Sequence, residues 1–196
     1  FEPLPTLMES ASNPITLAKV NLGRKLYFDP RLSKNQDVSC NTCHMLDKYG
    51  VDGLPTSAGH LEQVGGRNAP TVYNAAGHIA QFWDGRSPDI EDQAKGPPLN
   101  PVEMAMVDEA AIVAMLNSIP GYVSLFAAAF SDEDEPVSYD NMAKAIGAFE
   151  RGLVTPSRFD NYLAGDDAAL SQSEIAGLIA FLDAGCAGCH SGPYLG

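Results

Sequence analysis

Apolar residues recur at intervals of three and four along much of the chain, the spacing of one face of an α-helix. Ile15, Ala18, Leu22 and Leu26 set this period after Asn13-Pro14 and lose it near Asp29-Pro30, which predicts a first helix between the two breaks. Asp108 is placed to cap a second, carrying Ile112, Met115, Leu116 and Ile119 and ending at Pro120-Gly121. Tyr122, Leu125, Phe126 and Phe130 mark the next apolar face, and Met142, Ala145, Ile146 and Phe149 another. Ser171-Gln172-Ser173-Glu174 is a capping box that opens a last helix, with Ile175, Leu178, Ile179 and Leu182 on one face. Little alternates in the manner of a strand, so the expected fold class is mainly α.

From Val51 to Pro101 the period disappears. About fifty residues rich in Gly, Pro, Asn and Asp follow one another without a sustained helix, and so long an irregular stretch in a compact domain is usually functional. The sequence VTPSR at 154–158 breaks the helical pattern again and predicts a boundary between domains 1–153 and 154–196.

With 196 residues and 45% hydrophobic content the chain can bury a substantial core. Twelve basic residues against 25 acidic ones give a net charge of −13, which argues against nucleic acid or anionic lipid as a partner. SDEDEP at 131–136 is expected to be a solvated loop between helices. No apolar run approaches the roughly 18–20 residues that cross a bilayer, so no membrane span is expected. FEPLPTLMES has neither the basic start nor the apolar stretch of a signal peptide; if the protein is exported, the signal is already gone.

The chemistry sits in the cysteines. Thiols two residues apart can form a disulfide, a redox pair, a zinc clamp or a haem tether. Here all four fall in two identical frames, Cys40-Asn41-Thr42-Cys43-His44 and Cys186-Ala187-Gly188-Cys189-His190, and none is left for a separate structural disulfide. Zinc needs four ligands per site and each frame supplies three, so His60 or His78 would have to be recruited at one site and nothing obvious serves the other. A thioredoxin-like pair needs neither the histidine after the second cysteine nor a second copy. The doubled frame is that of covalent c-type haem: each thiol joins one vinyl group and the adjoining imidazole lies under the iron. A helix precedes each frame, which suggests two cytochrome c units. The second has only about forty residues, below the size at which a domain usually folds alone, and is expected to be completed by further chain.

LGRKLYFDPRLS, SCNTCH, DGLPTSAGH, RNAPTVYNA, QFWDGR, DQAKGP, NPVEM and GCAGCHSGP occur in the order and approximate spacing of bacterial di-haem cytochrome c peroxidases, which the chain resembles over essentially its whole length. The resemblance implies two cytochrome c-like haem domains, a peroxidatic one at 1–153 and the opening of an electron-transfer one at 154–196, incomplete in this chain. It makes His44 and His190 the proximal iron ligands and His60 a detachable distal ligand of the first haem, in a loop flanked by Gly59, Gly65 and Gly66. It gives His78 no role. Glu103 and Gln93 match the residues of the peroxide pocket, Trp83 an electron relay between the haems, and Asn68 a calcium ligand at the domain interface. The implied activity is reduction of hydrogen peroxide to water in the periplasm, by a homodimer holding two covalent haem c groups and calcium, with a monohaem cytochrome c or cupredoxin as donor. Two other readings stand beside it: a MauG-like di-haem oxidase of protein residues, and a plain di-haem electron carrier, against which the pocket residues and the long glycine-bearing loop argue.

Overall fold

The computed structural model describes residues 1–195. These are helices and turns; the extended pairings among them are two isolated antiparallel bridges, Ala58 with Val64 and Gln81 with Ser87. The chain divides into two compact units, Glu9–Leu153 and Phe1–Met8 with Val154 onward. The first eight residues thus pack with the later unit, although their place in the sequence puts them with the earlier one. They carry no helical period, and are held instead by the Leu4 N–H donating to Asp160 at 2.7 Å and by the Phe1 ring meeting Phe159 and Phe181.

In the unit Glu9–Leu153, α1 (Leu17–Tyr27) starts beyond Ile15 because the Thr16 hydroxyl caps it, accepting the Lys19 N–H at 3.2 Å. The single turn α2 (Cys40–Cys43) carries the first frame, and the short helices α3 (Ile90–Gln93) and α4 (Gly96–Leu99) interrupt the irregular segment. Asp108 caps α5 (Glu109–Asn117) by accepting the Ala111 N–H at 2.7 Å. Pro120, which the sequence pattern puts at the end of that helix, opens α6 (Pro120–Ala129): proline lacks only an N–H that a first helical turn leaves unpaired anyway.

α7 (Tyr139–Glu150) is the centre of the unit, with Met142, Ala143, Ala145 and Ala148 fully buried. α1 lies so close to α7 that a Cβ on Gly23 would stand 1.8 Å from the Ala145 carbonyl oxygen, and only glycine permits that crossing. The core beneath is Leu22, Leu26, Ile112, Leu116, Phe126 and Ile146.

In the other unit, α8 (Arg158–Leu163) and α9 (Gln172–Asp183) are tied by the Arg158–Glu174 ion pair, and the Ser171–Glu174 capping box opens α9. The apolar positions of α9 keep their period, yet Ile179 is 53% exposed and Leu182 48% exposed. So small a unit has too little interior to cover that face.

Candidate functional site

The first frame is built on one turn. The Ser39 N–H donates to the Thr42 hydroxyl at 3.0 Å, closing the turn that sets Cys40, Cys43 and His44 side by side. Both thiols are free, and Cys40 packs against Tyr27, Val72 and Phe149. Burial pushes the Cys40 thiol up to about 12, helped by the nearby Glu150 carboxyl, so the thiol stays protonated at neutral pH. Burial raises Cys43 as well. A redox pair needs a depressed thiol pKa, so the environment here is wrong for one and suits neutral thiols awaiting a covalent partner.

His44 is clamped twice. The Tyr27 hydroxyl donates to its carbonyl at 2.6 Å, and its ring Nδ1 lies 3.0 Å from the Pro70 carbonyl oxygen. A carbonyl only accepts, so Nδ1 carries the hydrogen and Nε2 keeps its lone pair, the form in which imidazole binds a metal. Burial lowers the His44 pKa, which keeps the ring neutral. The second frame repeats the device: His190 Nδ1 lies 2.8 Å from the Leu195 carbonyl oxygen, leaving its Nε2 free in the same way. Two free thiols and one imidazole whose Nδ1 faces a backbone carbonyl, twice over, fit covalently attached haem.

His60 is 8% exposed, and its Nδ1 has no hydrogen-bond partner among the described residues, an orphaned polar atom suited to a ligand. Its N–H donates to the carbonyls of Glu103 at 2.8 Å and Val102 at 3.1 Å. Gly59, expected as part of a mobile flank, is wedged: a Cβ there would stand 2.2 Å from the Val102 carbonyl oxygen. What is strained is the turn after His60, where Leu61 and Glu62 have φ of 54° and 59°.

Glu103 is half-buried. Its Oε1 accepts from the Asn100 side-chain amide at 2.9 Å, and it opens on a cavity of about 350 Å³ lined also by Phe82, Arg86, Asp92, Lys95 and Asn100. Burial raises its pKa, while the Arg86 charge and the Asn100 bond pull the other way. Arg86 is itself held over the Phe82 ring at 3.4 Å and by Asp84 at 2.7 Å. Gln93 ends α3 beside Asp92 and is not among the residues lining the cavity.

Trp83 is 61% exposed, so it is no part of the core, and its Nε1–H donates to the Asn68 backbone carbonyl at 3.1 Å. Asn68 is exposed, as is His78. The geometry thus brings His60 to Glu103 and Trp83 to Asn68. Tyr27, Pro70, Asn100 and Arg86 escaped the reading of the sequence. Asn100 and Arg86 stand inside NPVEM and QFWDGR, so asking which neighbours can orient Glu103 would have found them.

Residues 17–168 match the model of a protein family described as di-haem cytochrome c peroxidase. The chain belongs to that family. Within the di-haem peroxidase family it is 51% identical to cytochrome c551 peroxidase of Pseudomonas aeruginosa over all of its own length and 57% of that protein's. It is 40% identical to methylamine utilization protein MauG of Methylophilus methylotrophus, over 92% of this chain and 54% of that one. A crystal structure of a MauG-like protein associated with microbial copper homeostasis superposes with a TM-score of 0.83 at 33% identity, covering 97% of this chain and 56% of that one. The chain therefore spans little more than half the length of these relatives. Its mainly helical fold is that of the family's cytochrome c-like haem domains.

Proposed function

We propose that the chain contains the peroxidatic haem domain, 1–153, and the opening of the electron-transfer domain, 154–196, of a periplasmic di-haem peroxidase. The reaction is hydrogen peroxide plus two electrons and two protons giving two waters. The observation that carries this reading is Glu103: a half-buried carboxyl of raised pKa, facing a cavity beside a cation, in a chain of the di-haem peroxidase family. Cys40 and Cys43 with His44, and Cys186 and Cys189 with His190, would hold the two haems, which when bound supply one iron that takes and cleaves peroxide and a second that stores an electron.

The protein's part is proton handling and charge. A carboxyl whose pKa burial has raised exchanges protons nearer neutral pH, so Glu103 takes the proton from one peroxide oxygen and returns it to the departing one. Asn100 orients the carboxyl, and the Arg86 guanidinium stabilises negative charge developing on the leaving oxygen. Gln93 is the further polar group for this pocket, Trp83 the relay between haems, and Asn68 supplies a calcium side-chain oxygen. The donor is a monohaem cytochrome c or cupredoxin and the assembly a homodimer; these, with calcium and the location, rest on the resemblance.

Covalent attachment is tested directly: denatured protein should retain two haems per full chain through acid–acetone extraction, and colour passing into the organic phase would exclude thioether bonds. For His60 as detachable ligand, the oxidised protein should show a low-spin first haem that becomes high-spin on half-reduction with ascorbate and calcium. His60→Gly should be high-spin without reduction. A first haem that stays low-spin in half-reduced, calcium-loaded, active protein would leave His60 as a pocket residue. The MauG-like reading is favoured by the 33% identical structure and the 40% identical relative. Steady-state peroxide consumption with a reduced cytochrome supports the peroxidase; oxidation of a protein substrate in its place supports the other.

A further inference from the structure

Two of the hydrogen bonds described above meet in one short segment. The Trp83 indole N–H donates to the carbonyl of Asn68, and the carbonyl of Pro70, two residues on, accepts the Nδ1–H of His44. Between the two carbonyls stand Ala69 and Pro70. A proline ring fixes its own φ near −65° and disfavours helical backbone at the preceding residue, so two of the four torsions between the two carbonyls are restricted. Beyond Pro70 the chain is fastened to the loop after His44: the Thr71 hydroxyl donates to the Tyr49 carbonyl at 2.7 Å, the Val72 N–H to Gly50 at 3.3 Å, and the Tyr73 hydroxyl to Leu46 at 2.8 Å. The segment is thus pinned at its far end and held at its near end by the Trp83 indole, beside the Arg67–Asp84 ion pair.

We propose that residues 68–70 are a stiff strap through which Trp83 acts as a positioning residue for the His44 imidazole. The inference rests on the reading of Cys40, Cys43 and His44 as the first haem site. The strength of the Nδ1–H bond sets the basicity of the opposite ring nitrogen, and the partners that make such bonds orient a metal-binding imidazole. A partner or ion that displaces Trp83 or Asn68 therefore changes the ring that holds the iron. Trp83 suits this because it is 61% exposed and open to such a change, whereas His44 is half-buried. Its role reaches beyond relaying an electron.

The test uses holoprotein with both haems, labelled with ¹⁵N-histidine, and reads hydrogen exchange at His44 Nδ1 together with the electron paramagnetic resonance of the first haem. Trp83→Phe keeps an aromatic ring and removes the N–H. Exchange at His44 should quicken about threefold to tenfold, the factor that losing one ordinary hydrogen bond produces, and the g-values of the first haem should move. Asp134→Asn, at an exposed carboxylate of the loop between α6 and α7, should leave both readouts as in the wild type. Pro70→Ala keeps the carbonyl but frees the backbone; it should quicken exchange as well, and the double variant should fall short of the sum because both changes act on one device. Unchanged exchange and g-values in Trp83→Phe, or strict additivity with Pro70→Ala, would overturn the strap. Counting covalent haem first separates the two levels: no haem at Cys40 and Cys43 overturns the site and the strap together, while intact haem with an unmoved His44 overturns the strap alone.

Discussion

Replacing Glu103 with glutamine should lower peroxide turnover by about 10² or more while leaving the haem spectra and the fold in place. Gln keeps the shape and can still accept the Asn100 amide hydrogen, so the arrangement around it survives. What goes is the ability to take up a proton and hand it on. Burial already disfavours the charged form of Glu103, so a neutral amide at this position costs the fold little and the whole effect falls on catalysis. Stopped-flow turnover with a reduced cytochrome donor, beside the absorption spectrum of each haem, separates the two. Turnover equal to wild type would move proton transfer to another group of the same cavity, and Asp92 is the candidate because it lines that space.

The longer helices of the larger unit are legible where a local rule marks them. Asp108 caps α5 as its place in the sequence indicates, and the apolar stripe Met142, Ala145, Ile146 and Phe149 of α7 is buried, whereas the Thr16 cap that starts α1 beyond Ile15 went unread. The start of α6 was not legible, because Pro120 serves a helix end and a helix beginning equally well and only the extended backbone of Ile119 decides. The segment 51–101 resisted for a different reason. It is held by bonds between side chains and backbone groups of distant residues, such as Gln81 to Ala75 and Thr71 to Tyr49, which leave no period in the sequence.

The same distinction runs through the site. Cysteine and histidine spacing announces the two frames, since chemistry demands those residue types at those positions. Glu103 and His60 needed the family pattern, because an isolated Glu or His in a loop carries no signature of its own. Pro70 was invisible: its contribution is a carbonyl oxygen, which every residue possesses, and only the fold makes this one the partner of His44. Trp83 is given a relay role by the resemblance alone, and its exposure removes it from the core of this chain.

A second large effect is expected at Glu150, the last residue of α7, which is 6% exposed and adds its charge to the surroundings of Tyr27 and Cys40. Burial, with the Glu91 charge added, pushes its carboxyl up to about 8. In the unfolded chain a glutamate titrates near 4.3. Between those two values the folded protein holds a proton that the unfolded chain has released, so stability falls as pH rises, by at most about 1.4 kcal/mol per pH unit. The stabilising contribution is complete below about pH 4 and lost above about pH 8, a change on the order of a few kcal/mol across the interval. Glu150→Gln keeps the uncharged form at every pH. It should match wild type near pH 4 and exceed it by up to a few kcal/mol at pH 9, giving a flatter profile. Denaturant melts of haem-loaded protein at pH 4, 7 and 9 measure this as a difference, in which all other titrating groups cancel. Parallel profiles would mean that the Glu150 charge is compensated on ionisation, and the neighbouring cation Arg151, already bound to Glu91 at 2.7 Å, would be the group to replace next.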